Sequence, residues 1–201
     1  MEPTVEPGSQ QDARAVPYWE GQLIRHLDDL RTGSYEGGRT RAEREAIFRS
    51  AVELLSGTVL AALDAANLSL LDSRGTVVFT GVTGDSDGGI AASWELSWPR
   101  QQASPGRLQP GPVPPVQVRA IFPRGWTHGH LRGARLGNWP LQVTSAADVP
   151  GLEPVIGAII AAELHEVIYE SAVTWQVIDG YLRKAGHLGT RRLAGSRAPG
   201  S

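Results

Sequence analysis

Ala92-Ser93-Trp94-Glu95-Leu96-Ser97-Trp98-Pro99 decides how the rest of the chain is read. Ala92, Trp94, Leu96 and Trp98 alternate with Ser93, Glu95 and Ser97. Successive side chains on a strand point to opposite faces, so this strand has one apolar and one polar face. An antiparallel sheet with one covered face and one wet face gives this pattern, whereas a parallel strand reads as a continuous apolar run. Pro99 offers no N–H to a ladder and ends the strand.

Working outward, strand follows strand. Val116, Val118, Ala120 and Phe122 alternate with Gln117 and Arg119. Residues 126–132 continue the sheet after a break at 123–125, and 141–144 make a short last strand. On the other side, 67–71 and 76–80 flank Asp72-Ser73-Arg74-Gly75 as a β-hairpin. The segment 81–89, with four glycines and two aspartates, reads as a loop. Short links between strands indicate a meander rather than βαβ units.

Helices bracket the strands. Pro17 suits a first turn; Trp19, Leu23, Ile24, Leu27 and Leu30 follow at helical spacing, and Gly33 ends the run. Thr40-Arg41-Ala42-Glu43 is a capping box that opens a helix reaching to about residue 66. Its stripe of Ile47, Ala51, Leu54, Leu55, Thr58 and Ala62 is widened by Phe48, Val52, Val59, Leu60 and Leu63, which implies burial on more than one side. A last helix covers about 152–172, with Leu152, Val155, Ile156, Ile159, Ile160, Leu164, Val167 and Ile168 on its main face. Its other side, with Ala158, Ala161 and Ala162, is small enough for the second helix, or the same helix of a second copy, to pack closely.

The expected fold is therefore α+β. An antiparallel meander of about five strands carries two N-terminal helices and one long C-terminal helix, mainly on one face. One domain spans 16–184, with an exposed proline-rich loop at 100–115. Residues 1–15 read as a disordered tail and 185–201 as a flexible basic one.

Composition narrows the function. The 201 residues are 41% hydrophobic and 20% charged with a formal net charge of −2, which gives no global pull toward nucleic acid or anionic membrane. The absence of cysteine removes disulfides, thiolate nucleophiles and every Cys-based metal site. Met1-Glu2-Pro3-Thr4-Val5-Glu6-Pro7 has no basic or apolar region of a signal peptide, and the apolar run at 155–164 is too short to span a bilayer. A cytoplasmic location is the expectation. Lys184 is the single lysine among 19 basic side chains, so arginine abundance reflects coding bias and weighs little as a functional signal.

One stretch concentrates chemistry. Residues 123–135 hold His128, His130, Trp126, Arg124, Arg132 and Arg135 and no acid. On a strand, His128 and His130 share a face, and two imidazoles on one face chelate a divalent transition metal once a further ligand is supplied. Glu163 and Glu166, on or beside the apolar face of the last helix, are the candidate partners, because a core-facing carboxylate must be paired, protonated or metal-bound. Against this stand an ion-pair network of those glutamates with Arg119, Arg124, Arg132 and Arg135, and a bulge at Gly129 that would part the histidines. His165-Glu166-Val167-Ile168-Tyr169 lacks the second histidine of a zincin. Arg124, Trp126, Arg132 and Arg135 also suit a phosphate, nucleotide or nucleic-acid ligand, although the glycines match neither a P-loop nor a dinucleotide fingerprint. No spacing links a serine, a histidine and an acid.

Without a complete catalytic set, the leading expectation is a non-catalytic protein–protein interaction or accessory domain. It would be homo-oligomeric through its long helices or part of a larger assembly, with no role for membrane or nucleic acid. A metal-binding protein or metal-dependent enzyme comes second, and an anion binder third.

Overall fold

The computed structural model describes residues 18–107, 111–134, 137–172 and 177–178. The expected tails, Arg135 and Trp175 lie outside the described residues. In chain order the elements are α1 (Tyr18–Thr32), α2 (Arg41–Leu71), β1 (Thr76–Gly84), β2 (Ile90–Ser97), α3 (Pro99–Ala103), β3 (Val116–Phe122), β4 (His130–Gly133), β5 (Trp139–Pro140), a 3₁₀ segment (Ala146–Leu152) and α4 (Glu153–Glu170). The five strands form one antiparallel sheet in the order β1-β2-β3-β4-β5, so the chain has the expected α+β class.

The alternation in β2 sets both faces of that sheet. Trp94 pairs with Val118, Leu96 with Val116 and Ala92 with Ala120, and all six side chains are buried. Between them Glu95 pairs with Gln117 and Ser93 with Arg119 on the polar face, where Gln117 Nε2 donates to Glu95 Oε1 at 2.7 Å. The apolar face is closed by Phe48, Leu55, Val59 and Leu63 of α2 and by Ile156, Ile160 and Val167 of α4. Each such fully buried side chain contributes roughly 1.5–3 kcal/mol relative to exposure. α2 begins at the capping box: the Glu43 N–H donates to Thr40 Oγ1 at 3.2 Å, and the Thr40 N–H to Glu43 Oε2 at 2.9 Å.

Several boundaries differ from the sequence expectation. Residues 67–71 are not a strand: α2 continues to Leu71, because that side chain is fully buried and extends the helical stripe. Asp72 then takes a left-handed cap (φ 52°), and Asn67 clasps the Gly75 backbone through both side-chain atoms, feeding the chain into β1. β1 pairs instead with β2 and runs through half of the expected glycine loop, with a bulge between Thr80 and Thr83. Pro99 does end β2, but it opens α3 at a first-turn position where its missing N–H costs nothing. The proline-rich stretch is not simply exposed: Gln101, Ser104 and Val113 are buried, and Gln101 Nε2 donates to the Val113 carbonyl. Residues 126–129 form an irregular bend ahead of β4 rather than part of it, and β5 falls at 139–140 instead of 141–144. Among the described residues α2, not the segment 155–164, is the helix long and apolar enough to cross a membrane by length and composition; it is also the helix that closes the sheet core.

α1 departs furthest from a simple reading. Its apolar stripe faces outward: Trp19, Leu23, Ile24, Leu27 and Leu30 are 45–56% exposed, while Gln22 and Asp29 are buried. The helix is held to the body near β5 by polar contacts. Tyr18 Oη donates to the Asp148 carbonyl at 2.9 Å, Arg25 bonds Glu36 and Asp148, and Asp29 accepts from the Glu36 N–H and Gln142 Nε2.

Candidate metal centre

β4 carries the site on one of its two faces. His130 pairs with Ile121 and Leu131 with Ala120, so Leu131 and Gly133 point to the α4 side while His130 and Arg132 point away from it. Glu163 lies directly against the backbone there: a Cβ on Gly133 would stand 2.4 Å from Glu163 Oε1 and displace that carboxylate. Gly129 is needed, since a Cβ would meet the Phe48 ring at 2.5 Å. It allows the close approach without parting its neighbours. The His128 and His130 ring centroids are 4.9 Å apart, edge to face.

A third imidazole completes the group. His26, on the body-facing side of α1, stacks on His128 with centroids 4.2 Å apart and planes within 6°, and stands edge-on to His130 at 5.9 Å. One nitrogen from each of His26, His128 and His130 lies within 4.8 Å of the other two. His26 Nδ1, both nitrogens of His128 and His130 Nδ1 are buried without a well-formed hydrogen bond among the described residues; the His128 backbone offers the His128 and His130 rings only a poorly aligned contact. A buried polar atom without a partner costs about 1–3 kcal/mol, so four in one place is a costly arrangement.

The electrostatics keep these rings neutral. Burial is the main cause in every case. It holds His26 below the usual imidazole range and, helped by the neighbouring histidines, takes His128 and His130 down to about 4. A neutral imidazole has a lone pair to offer, and metal ligation requires that form.

The glutamates expected to join the histidines do not. Glu163 is buried but lies against Gly133, across β4 from the face that carries His130. Glu166 is on α4 with Oε1 4.0 Å from His165 Nδ1. The other candidates disperse as well. Arg132 spends its guanidinium on the Gly133 and Ala134 carbonyls, Arg124 runs beside Gly88, and Arg119 pairs with Asp85 at 3.5 Å. Trp126, 39% exposed, sets its ring edge-on to His130 at 4.8 Å and so belongs to the rim of the histidine group rather than to an arginine cluster.

His26 is not legible as a ligand in the sequence, being remote from His128 and His130 in the chain and on a helix whose stronger pattern is its apolar stripe. A signal was present: Gln22, Arg25, His26 and Asp29 fall at i, i+3, i+4 and i+7, a polar stripe opposite the apolar one. Comparison with protein-family models, curated proteins and solved structures gives no match for this chain.

Proposed function

We propose that the protein binds one divalent transition-metal ion through His26, His128 and His130, and that the ion ties α1 to the end of β4. The observation that carries this reading is the convergence of three neutral imidazoles from two distant parts of the chain, with buried ring nitrogens that lack partners. An ion would give one nitrogen of each ring the partner it lacks. In the stacked pair the lone pairs of His26 and His128 run parallel, so ligation calls for a tilt of one ring. His26 supplies it most readily, being half-buried and turning about a soft terminal torsion. An all-imidazole donor set suits Zn²⁺, Cu²⁺ or Ni²⁺ and disfavours Mg²⁺ or Ca²⁺. Three protein ligands leave a further position for water or an external ligand, beside the half-exposed Trp126. With no cysteine to oxidise, such a site works in any redox compartment, the cytoplasm in which we place the protein included.

The test is elemental analysis and Zn²⁺ titration calorimetry on untagged protein stripped with chelator. One ion per chain is expected, with affinity falling at least about 100-fold in His128→Gln and His130→Gln. Glu163→Gln and the exposed His165→Gln should leave it unchanged. Equal uptake by the native protein and the His128→Gln/His130→Gln double variant overturns the proposal, and loss of uptake in Glu163→Gln alone replaces His26 by the glutamate.

A further inference from the structure

We infer that the outward face of α1 is a self-association surface, on which a second copy of this chain lays its own α1 antiparallel. At about 100° per residue, Trp19, Leu30, Leu23, Leu27 and Ile24 fall within one arc of roughly 140°, and Gln22, Arg25, His26 and Asp29 occupy the opposite side. The polar side is the one fixed to the body, through Gln22 to the Gln142 carbonyl, Arg25 to Glu36 and Asp148, and Asp29 to the Glu36 N–H. The helix is therefore anchored in an orientation that holds five large apolar side chains in water. Scattered exposed leucines are ordinary, but a contiguous apolar stripe marks an interaction site.

Charge selects the occupant. Glu20, in the first turn, and Arg31, in the last, fall inside the same arc as the apolar residues; within one chain Arg31 pairs with Asp28 at 3.3 Å, an exposed pair weak enough to be exchanged for one across the interface. An antiparallel copy places Glu20 of each chain beside Arg31 of the other, twice over by symmetry, with Ile24 and Leu27 of one chain against Leu27 and Ile24 of its mate. A parallel pairing would set like against like. A membrane surface fits poorly, because the stripe carries Glu20 within it and Asp28 at its edge rather than a row of basic residues. The pairing differs from one through the long helices, since α2 and α4 already pack on each other and on the sheet.

The size of the surface sets its strength. Half the lateral surface of a 15-residue helix is roughly 400 Å² per copy, short of the ~800 Å² of a standard interface, so the dimer is concentration-dependent.

Sedimentation velocity on the full chain, with EDTA present to exclude bridging by metal, tests this independently of the histidine site. A shift from monomer to twice the monomer mass across the micromolar range is expected. Leu23→Glu/Leu27→Glu should abolish it while the circular dichroism stays native. Glu20→Arg and Arg31→Glu should each weaken the dimer about three- to tenfold, and the two together should recover most of the loss. A monomer throughout the range, or a double swap weaker than both single ones, overturns the proposal.

Discussion

α1 and α2 both carry a helical stripe of large apolar residues, yet they are attached to the body in opposite ways. α2 turns its stripe inward, and Phe48, Leu55, Val59 and Leu63 are fully buried against the sheet and α4. α1 turns its stripe outward and holds on through Gln22, Arg25, His26 and Asp29. Apolar burial is non-directional and insensitive to pH or ions, so α2 is fastened under all conditions that leave the domain folded. A polar attachment depends on protonation, so α1 is fastened conditionally. A helix whose docking responds to the medium is suited to present a binding surface, and that is the face α1 shows.

The contrast is broken most directly in α2. Leu55→Ala should lower global stability by about 2–5 kcal/mol, because a fully buried leucine leaves a cavity in the centre of the core. Urea unfolding followed by fluorescence and by circular dichroism should move together. If only one probe moves, α2 is not part of the central cooperative unit.

Acid should act on the α1 side instead. An unfolded imidazole protonates near about 6.5, whereas folded His128 and His130 are held down to about 4. Between those values the unfolded state binds more protons. The contribution of the neutral rings is therefore complete above about pH 6.5 and is lost as pH falls toward 4. For two coupled, partly screened rings the loss is a few kcal/mol, below the roughly 7 kcal/mol that two independent shifts would give. Urea midpoints in chelator at pH 7 and 4.5 should show it, and His128→Gln/His130→Gln should flatten the slope. An unchanged slope in that variant would assign the acid sensitivity to carboxylates.

The alternation at 92–98 and its partner at 116–122 were enough to place the sheet, because period-2 patterning is a direct consequence of strand geometry. The capping box at Thr40 placed the start of α2 for a similarly local reason. What was not legible depends on which elements meet. Residues 67–71 look like a strand until Leu71 is seen to fill the core, and the outward turn of α1 is settled by Gln142, Glu36 and Asp148 rather than by its own pattern. Half of the histidine site was readable from the His128/His130 spacing. The other half was not, since α4 packs across β4 from His130 while α1 reaches it.

Removing the polar anchor should cost less than the core mutation and act locally. Asp29→Ala strips an acceptor from the Glu36 N–H, Ser34 Oγ and Gln142 Nε2, a loss of about 1–3 kcal/mol. Hydrogen exchange should speed up in α1 and in residues 33–38 while α2 stays protected; uniform acceleration would mean that α1 belongs to the global unit. The Thr40→Ala change should cost about 1 kcal/mol by removing the cap of α2, visible as a small uniform drop in the urea midpoint.

The smallest effect is the most discriminating. Leu27 is 55% exposed at the middle of the α1 stripe, and nothing in the monomer depends on it for packing. Leu27→Ala measured at concentrations where the protein is monomeric should change stability by no more than about 0.5 kcal/mol, as for ordinary surface positions. Leu55→Ala, the same chemical change in α2, costs several times as much. A Leu27→Ala loss approaching that of Leu55→Ala would mean that the stripe is buried within one chain and that α1 is anchored as α2 is. A loss confined to high protein concentration would locate its value between chains, where the helix has turned its apolar side.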